Sequence, residues 1–127
     1  MSKWKISKHR YYELKHFCLQ YHEWVKEWNN LDRSTLHSIR YGLPTTSTDK
    51  SPTEEIATRK TSLSEKIDLI DRTAFDSEPE IASYLIRAVT EGLSYTVLST
   101  QFDIPCGRDM YYDRYRKFFW LLDKRRD

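Results

Sequence analysis

The last 21 residues carry seven bases: Arg108, Arg114, Arg116, Lys117, Lys124, Arg125 and Arg126. On a helical wheel Arg108, Asp109, Tyr112, Asp113 and Arg116 fall opposite an apolar face of Tyr111, Tyr115, Phe118 and Leu122. Such a mixture suits the edges of DNA bases. Arginine bonds guanine N7 and O6 in bidentate fashion, and aspartate accepts from cytosine N4. Arg108, Asp109, Tyr112 and Arg116 are therefore the candidate base readers. Arg114, Lys117, Lys124, Arg125 and Arg126 are the candidate phosphate contacts.

Other reactive residue types lack partners for catalysis. Cys18 and His22 stand one helical turn apart, but a metal site needs three or four ligands and His9, His16 and His37 have no matching spacing. Cys18 lies on an apolar stripe and reads as a buried thiol. Cys106 opens a helix, where the dipole lowers a thiol pKa, yet no histidine follows position 37 to act as its base. The carboxylate pairs Glu54/Glu55 and Glu78/Glu80 sit in first helical turns, where they offset the helix dipole. No phosphate loop and no Ser-His-Asp order occurs. The expectation is a non-enzyme with no cofactor and no metal.

The basic helix needs elements to aim it. Gly92 ends a helix whose apolar face is Ile81, Tyr84, Leu85, Ala88 and Val89. Ser94 caps a short helix at Tyr95–Phe102, and Asp103-Ile104-Pro105 breaks it. A last helix runs from Cys106-Gly107 to about Arg125. Short helix, tight turn with an apolar plug at Ile104, then a longer basic helix is the layout of a helix-turn-helix. Asp103 stands where such turns often hold glycine, and aspartate tolerates the left-handed conformation better than most residues.

Upstream, Leu14, Phe17, Cys18, Tyr21, Trp24, Val25, Trp28 and Leu31 recur at steps of three and four, which predicts one helix over 9–31 with Ser7 as its cap. Residues 32–50, with Tyr41-Gly42-Leu43-Pro44 and a polar tract after it, read as a flexible linker. Ser51-Pro52-Thr53-Glu54 starts a helix bearing Ile56, Leu63, Ile67, Ile70 and Ala74, ending near Phe75. Ser77 and Pro79 start the next. The expected fold is all-α: a long N-terminal helix with its linker at 1–50, and a helical bundle at 51–127 containing the helix-turn-helix. The bundle has its own core candidates, among them Phe75, Phe102 and Ile104, and is expected to fold alone. Tyr21, Trp24, Val25 and Trp28 must cover either that body or a second copy. The expectation is a second copy, giving a homodimer that engages two half-sites.

Composition agrees with a helical, water-facing chain. Its 127 residues include 18 aromatic rings, three glycines and four prolines, and the mean hydropathy is −0.77. The longest apolar run, Phe118–Leu122, is far short of the roughly 20 residues of a membrane helix. No apolar leader follows Met1, and two distant cysteines make no disulfide framework, so the cytoplasm, a reduced compartment, is the expected location, with no membrane partner. Net charge is +2, unevenly placed: +4 over residues 1–16, −4 over 51–91 and +3 over 107–127. Basic ends point to nucleic acid.

Leu93-Ser94-Tyr95-Thr96-Val97-Leu98-Ser99 followed by Asp103-Ile104-Pro105 resembles the helix-turn-helix of sigma-factor region 4. With Ala88–Gly92 before it and Tyr112–Leu122 after it, the C-terminal half resembles small phage and prophage regulators of the ArpU/RinA type. Tyr11–Tyr21 is similar to a segment of phage-encoded proteins from Firmicutes. The resemblance covers about two thirds of the chain. It implies control of late phage genes through double-stranded DNA near a promoter, with RNA polymerase or another protein as a further partner. The competing expectation is a protein-binding phage factor, such as a counter-defence inhibitor of a host nuclease, built on the same scaffold. A third is the DNA-recognition subunit of a packaging terminase.

Overall fold

The computed structural model describes residues 3–40 and 52–126, with side chains described outside 32–40. It is all-α, with no strand among the described residues. The helices are α1 (Lys8–Leu19), α2 (Tyr21–Arg40), α3 (Pro52–Ser77), α4 (Ala82–Glu91), α5 (Tyr95–Phe102) and α6 (Arg108–Arg125), with a 3-10 turn at Pro79–Ile81. At 1.5 Å per residue α3, 26 residues long, spans about 39 Å. It is the spine on which α2, α4 and α6 pack, while α1 lies across α4 and α6.

The expected single helix over 9–31 is two. Ser7 caps α1 through the Arg10 amide, as its sequence position suggests. The chain then breaks at Gln20, whose amide closes back on Phe17 and Cys18, while its carbonyl accepts from Trp24 and opens α2. The break lets the two halves of one apolar stripe face different neighbours: α1 meets α4 and α6, and α2 meets α3. Phe17 and Trp24 still touch across it, with ring centroids 4.8 Å apart.

Residues 32–40, expected as the start of a linker over 32–50, are helical. Helix α2 continues to Arg40. Asn29, Asn30 and Asp32 each cost a helix only tenths of a kcal/mol, and no glycine or proline occurs before Gly42. The turn signal from Tyr41 to Pro44, the polar tract after it and the Ser51 cap lie outside the described residues.

One core unites the chain. Leu14, Phe17, Cys18 and Trp24 from the N-terminal helices belong to the same buried cluster as Leu63, Ile70, Leu85, Leu98, Phe118 and Leu122. The N-terminal part is thus packed into the body and does not stand apart from it. Phe75, expected in the core, is 58 % exposed. It lies one residue past Ala74 on the wheel, so a step of about 100° carries it off the buried stripe. Thr73 and Ser77 are buried in its place. The Ser77 hydroxyl donates to the Thr73 carbonyl at 2.7 Å, so it closes α3 and does not cap the next helix.

Candidate nucleic-acid interface

The turn between α5 and α6 is built from both ends. Gly92 closes α4 in the left-handed region at φ 71°, a conformation that strains a side-chain-bearing residue there. The Ser94 hydroxyl caps α5 by accepting from the Val97 amide. Asp103 ends α5 at φ 52°, ψ 48°, doing the work of the missing glycine. The Ile104 amide then donates to the Leu98 carbonyl at 3.1 Å, and its side chain, 8 % exposed, enters the core.

Tyr95 locks this turn, which the sequence pattern did not signal. Its hydroxyl donates to the Cys106 carbonyl at 2.8 Å, and its ring lies 5.3 Å from that of Tyr111. The first residue of α5 therefore holds the segment entering α6. The Cys106 thiol is raised above its ordinary pKa by burial and by Glu78, opposite to the lowering expected from a helix start.

Helix α6 is anchored by rings. Tyr111, Phe118, Phe119 and Leu122 are buried. Tyr115 shares a 2.7 Å hydroxyl–hydroxyl bond with Tyr11 of α1. Burial, foremost, pushes the phenols of Tyr111 and Tyr115 far above the usual tyrosine range.

The candidate base readers divide. Arg108, Asp109 and Arg116 are exposed, and the Arg108 guanidinium lies 5.1 Å over the Tyr95 ring. Tyr112 is half-buried against Tyr95, Tyr111 and Tyr115. Asp113 is also engaged: it accepts from the Trp4 indole at 3.1 Å and pairs with Arg114.

The candidate phosphate contacts divide as well. Arg114 Nε donates to Glu78 at 3.0 Å, and that bond, above all, raises the guanidinium pKa. Arg125 donates to Asp76 at 2.7 Å and to the Thr73 hydroxyl at 3.1 Å. Both guanidiniums thus join α6 to α3 and its end, an ion-pair role that a charge count cannot distinguish from phosphate binding. Arg126 stacks over Phe17 at 3.8 Å. Lys117 and Lys124 lie over Trp4 and Trp120, at 5.6 and 4.3 Å, and make no ion pair among the described residues.

The association stripe faces inward. Trp24 is 6 % exposed and Trp28 half-buried, with Lys66 and Lys60 of α3 over their rings. The Tyr21 hydroxyl donates to Asp71 at 3.0 Å. Val25 and Trp28 line a shallow cleft with Ser64 and Ile67 of α3. Of the two covers open to these rings, the chain provides the first, its own body. Trp24 is covered in this way, while Tyr21, Val25 and Trp28 stay partly exposed.

Cys18 is fully buried, and burial pushes its thiol up to about 12. No cluster of three or more metal-ligating side chains occurs among the described residues, and no described helix is long and apolar enough to cross a membrane. No protein-family model matches the chain, and neither a curated protein nor a solved structure does.

Proposed function

We propose that this chain is a phage-type transcriptional regulator that binds double-stranded DNA through a helix-turn-helix formed by α5, the turn at 103–107 and α6. The observation that carries the reading is the construction of that turn. A left-handed Asp103, a buried Ile104 and the Tyr95–Cys106 bond fix the start of α6, where Arg108 and Asp109 are exposed side by side. A recognition helix contacts bases with its N-terminal residues, so fixing that end is what base readout requires. The resemblance of residues 88–122 to ArpU/RinA-type regulators supports the same reading. RNA polymerase is a natural second partner for a protein acting near a promoter.

The test is a gel-shift assay on duplex fragments of the genome flanking the gene, with a salt titration. Arg108→Ala is expected to weaken the preferred site by about 1–3 kcal/mol and relax preference at one base pair. Equal loss on every sequence counts against direct readout.

A second reading, a protein-binding phage factor such as an inhibitor of a host nuclease, is favoured by one observation. Tyr112 and Asp113 are occupied within the fold, which leaves few side chains for bases. Absence of duplex binding at low salt, together with a stable complex with a host nuclease, selects it.

A further inference from the structure

Residues 3–7 precede α1 without regular structure and lie against the outer face of α6. Trp4 fastens them there. Its indole N–H donates to Asp113, and its ring meets Trp120 edge-on at 5.0 Å. Two ammonium groups flank that one indole, Lys3 at 5.0 Å and Lys117 at 5.6 Å. Beside them a cleft of about 370 Å³ opens between the segment and α6, with Lys8 and Arg116 on its rim and Tyr11, Tyr115 and Phe119 in its wall.

This face holds cations that its own carboxylates do not neutralise. Asp113 is engaged by Trp4 and Arg114, and Asp123 by Arg10. Glu13 stands 3.8 Å from the same Arg10. Among the described residues Lys3, Lys8, Arg116, Lys117 and Lys124 make no ion pair. On the α6 wheel Arg116, Lys117 and Lys124 share one stripe with Trp120. Like charges held close together repel, and a polyanion laid across them relieves that repulsion. Arg114 and Arg125, in contrast, already have carboxylate partners.

We infer that residues 3–8 form the second wall of a phosphate-binding face, with Lys3 and Lys8 on one side, Arg116, Lys117 and Lys124 on the other, and Trp4 as the rivet between them. Its partner is the sugar–phosphate backbone of duplex DNA. The inference rests on the DNA-binding reading and deepens it. It keeps Lys117 and Lys124 as phosphate contacts, replaces the α3-facing Arg114 and Arg125 with Lys3 and Lys8, and assigns Arg116 to the backbone and not to a base.

The experiment uses the full chain, a fluorescent duplex of about 20 base pairs and anisotropy titrations between about 50 and 200 mM salt. Lys3→Ala/Lys8→Ala is expected to make the plot of log K against log salt less steep by about two, one per residue removed, with sequence preference unchanged. Arg114→Ala/Arg125→Ala is expected to leave the slope as it is. The lysines are exposed, and circular dichroism is expected to show an unaltered helix content in their variant. Duplex binding with an unchanged slope in the lysine variant overturns this inference and leaves the helix-turn-helix reading standing. An altered sequence preference in that variant also overturns it. No duplex binding by the unmodified chain overturns both.

Discussion

Arg10, in the first helix, donates from Nε to the Asp123 carboxylate at 2.7 Å, and its Nη2 reaches the Arg126 carbonyl. One guanidinium thus satisfies carbonyl and charge at the C-terminal end of the last helix, where the dipole favours a cation. It ties two residues 113 positions apart in the sequence. Arg10→Ala is expected to cost about 1–2 kcal/mol, because the bond is charge-assisted but its carboxylate is partly screened by water. Urea unfolding checks it. No change in midpoint would show the tie to be a surface pair.

The burial of α1 changes what a shortened chain should do. Leu14 is fully buried and Phe17 nearly so, and Phe119 and Tyr115 pack under Tyr11. Removing residues 1–50 uncovers those rings. The 51–127 fragment, expected from its sequence to fold alone, is now expected to lose cooperative thermal unfolding. Leu14→Ala in the full chain is expected to cost about 2–5 kcal/mol. A fragment that melts as sharply as the full chain would contradict this.

Trp24 gives a second contrast. Were its stripe a dimer seam, Trp24→Glu would give a folded monomer. Because the ring packs against Phe17 inside the chain, the substitution is expected to destabilise by at least about 3 kcal/mol, through lost packing and a buried charge. Ultracentrifugation beside circular dichroism separates the outcomes, since a well-folded monomer formed from a dimer would restore the seam.

Alkaline pH should unfold the protein early. Burial pushes the Cys18 thiol from 9.0 to about 12 and the Tyr21 phenol from 10.0 to about 12, and it raises Tyr111 and Tyr115 further. Each group is raised in the fold, so its contribution is complete below the unfolded value and is lost as pH climbs toward the folded one. Stability is therefore expected to fall from about pH 9 through 12. In reducing buffer, Cys18→Ala is expected to delay the onset, since the thiol is the first of these groups to ionise when unfolded. An onset unmoved by that change would assign the loss to the tyrosines and Cys106.

Asp71 predicts a gain. Its carboxyl is raised by burial and by Asp68, against the lowering effect of the Tyr21 bond. A carboxylate raised in the fold disfavours folding once ionised, and the deficit disappears as pH falls below its unfolded value. Asp71→Asn keeps an acceptor for the Tyr21 hydroxyl without the charge. It is expected to raise the melting temperature at pH 7 and to leave it unchanged or lower at pH 3. A lower melting temperature at pH 7 would show that the charge strengthens the Tyr21 bond by more than its burial costs.

Local signals determined a large part of this protein. Ser7, Gly92, Ser94 and Asp103 punctuate the chain where the structure ends or starts helices, and the span Tyr95–Phe102 follows from its caps alone. Capping and left-handed closure act within about four residues, so they are written in adjacent letters. The apolar faces of α3, α4 and α6 were legible for the same reason, since helical period is local.

What each face meets is not local, and only the tertiary structure decided it. Arg114 and Arg116 differ by two positions and have the same charge. One reaches Glu78 and the other reaches solvent, because α3 lies on one side of α6 only. The break at Gln20 sends α1 to α6 and α2 to α3, so the rings of one uninterrupted stripe cover the body. Trp4 gave no periodic signal, lying before the first helix, yet it bonds Asp113 across 109 residues. Such contacts form because close packing leaves a single arrangement in which those rings and charges are all covered or paired, and that requirement belongs to the whole chain and to no stretch of it.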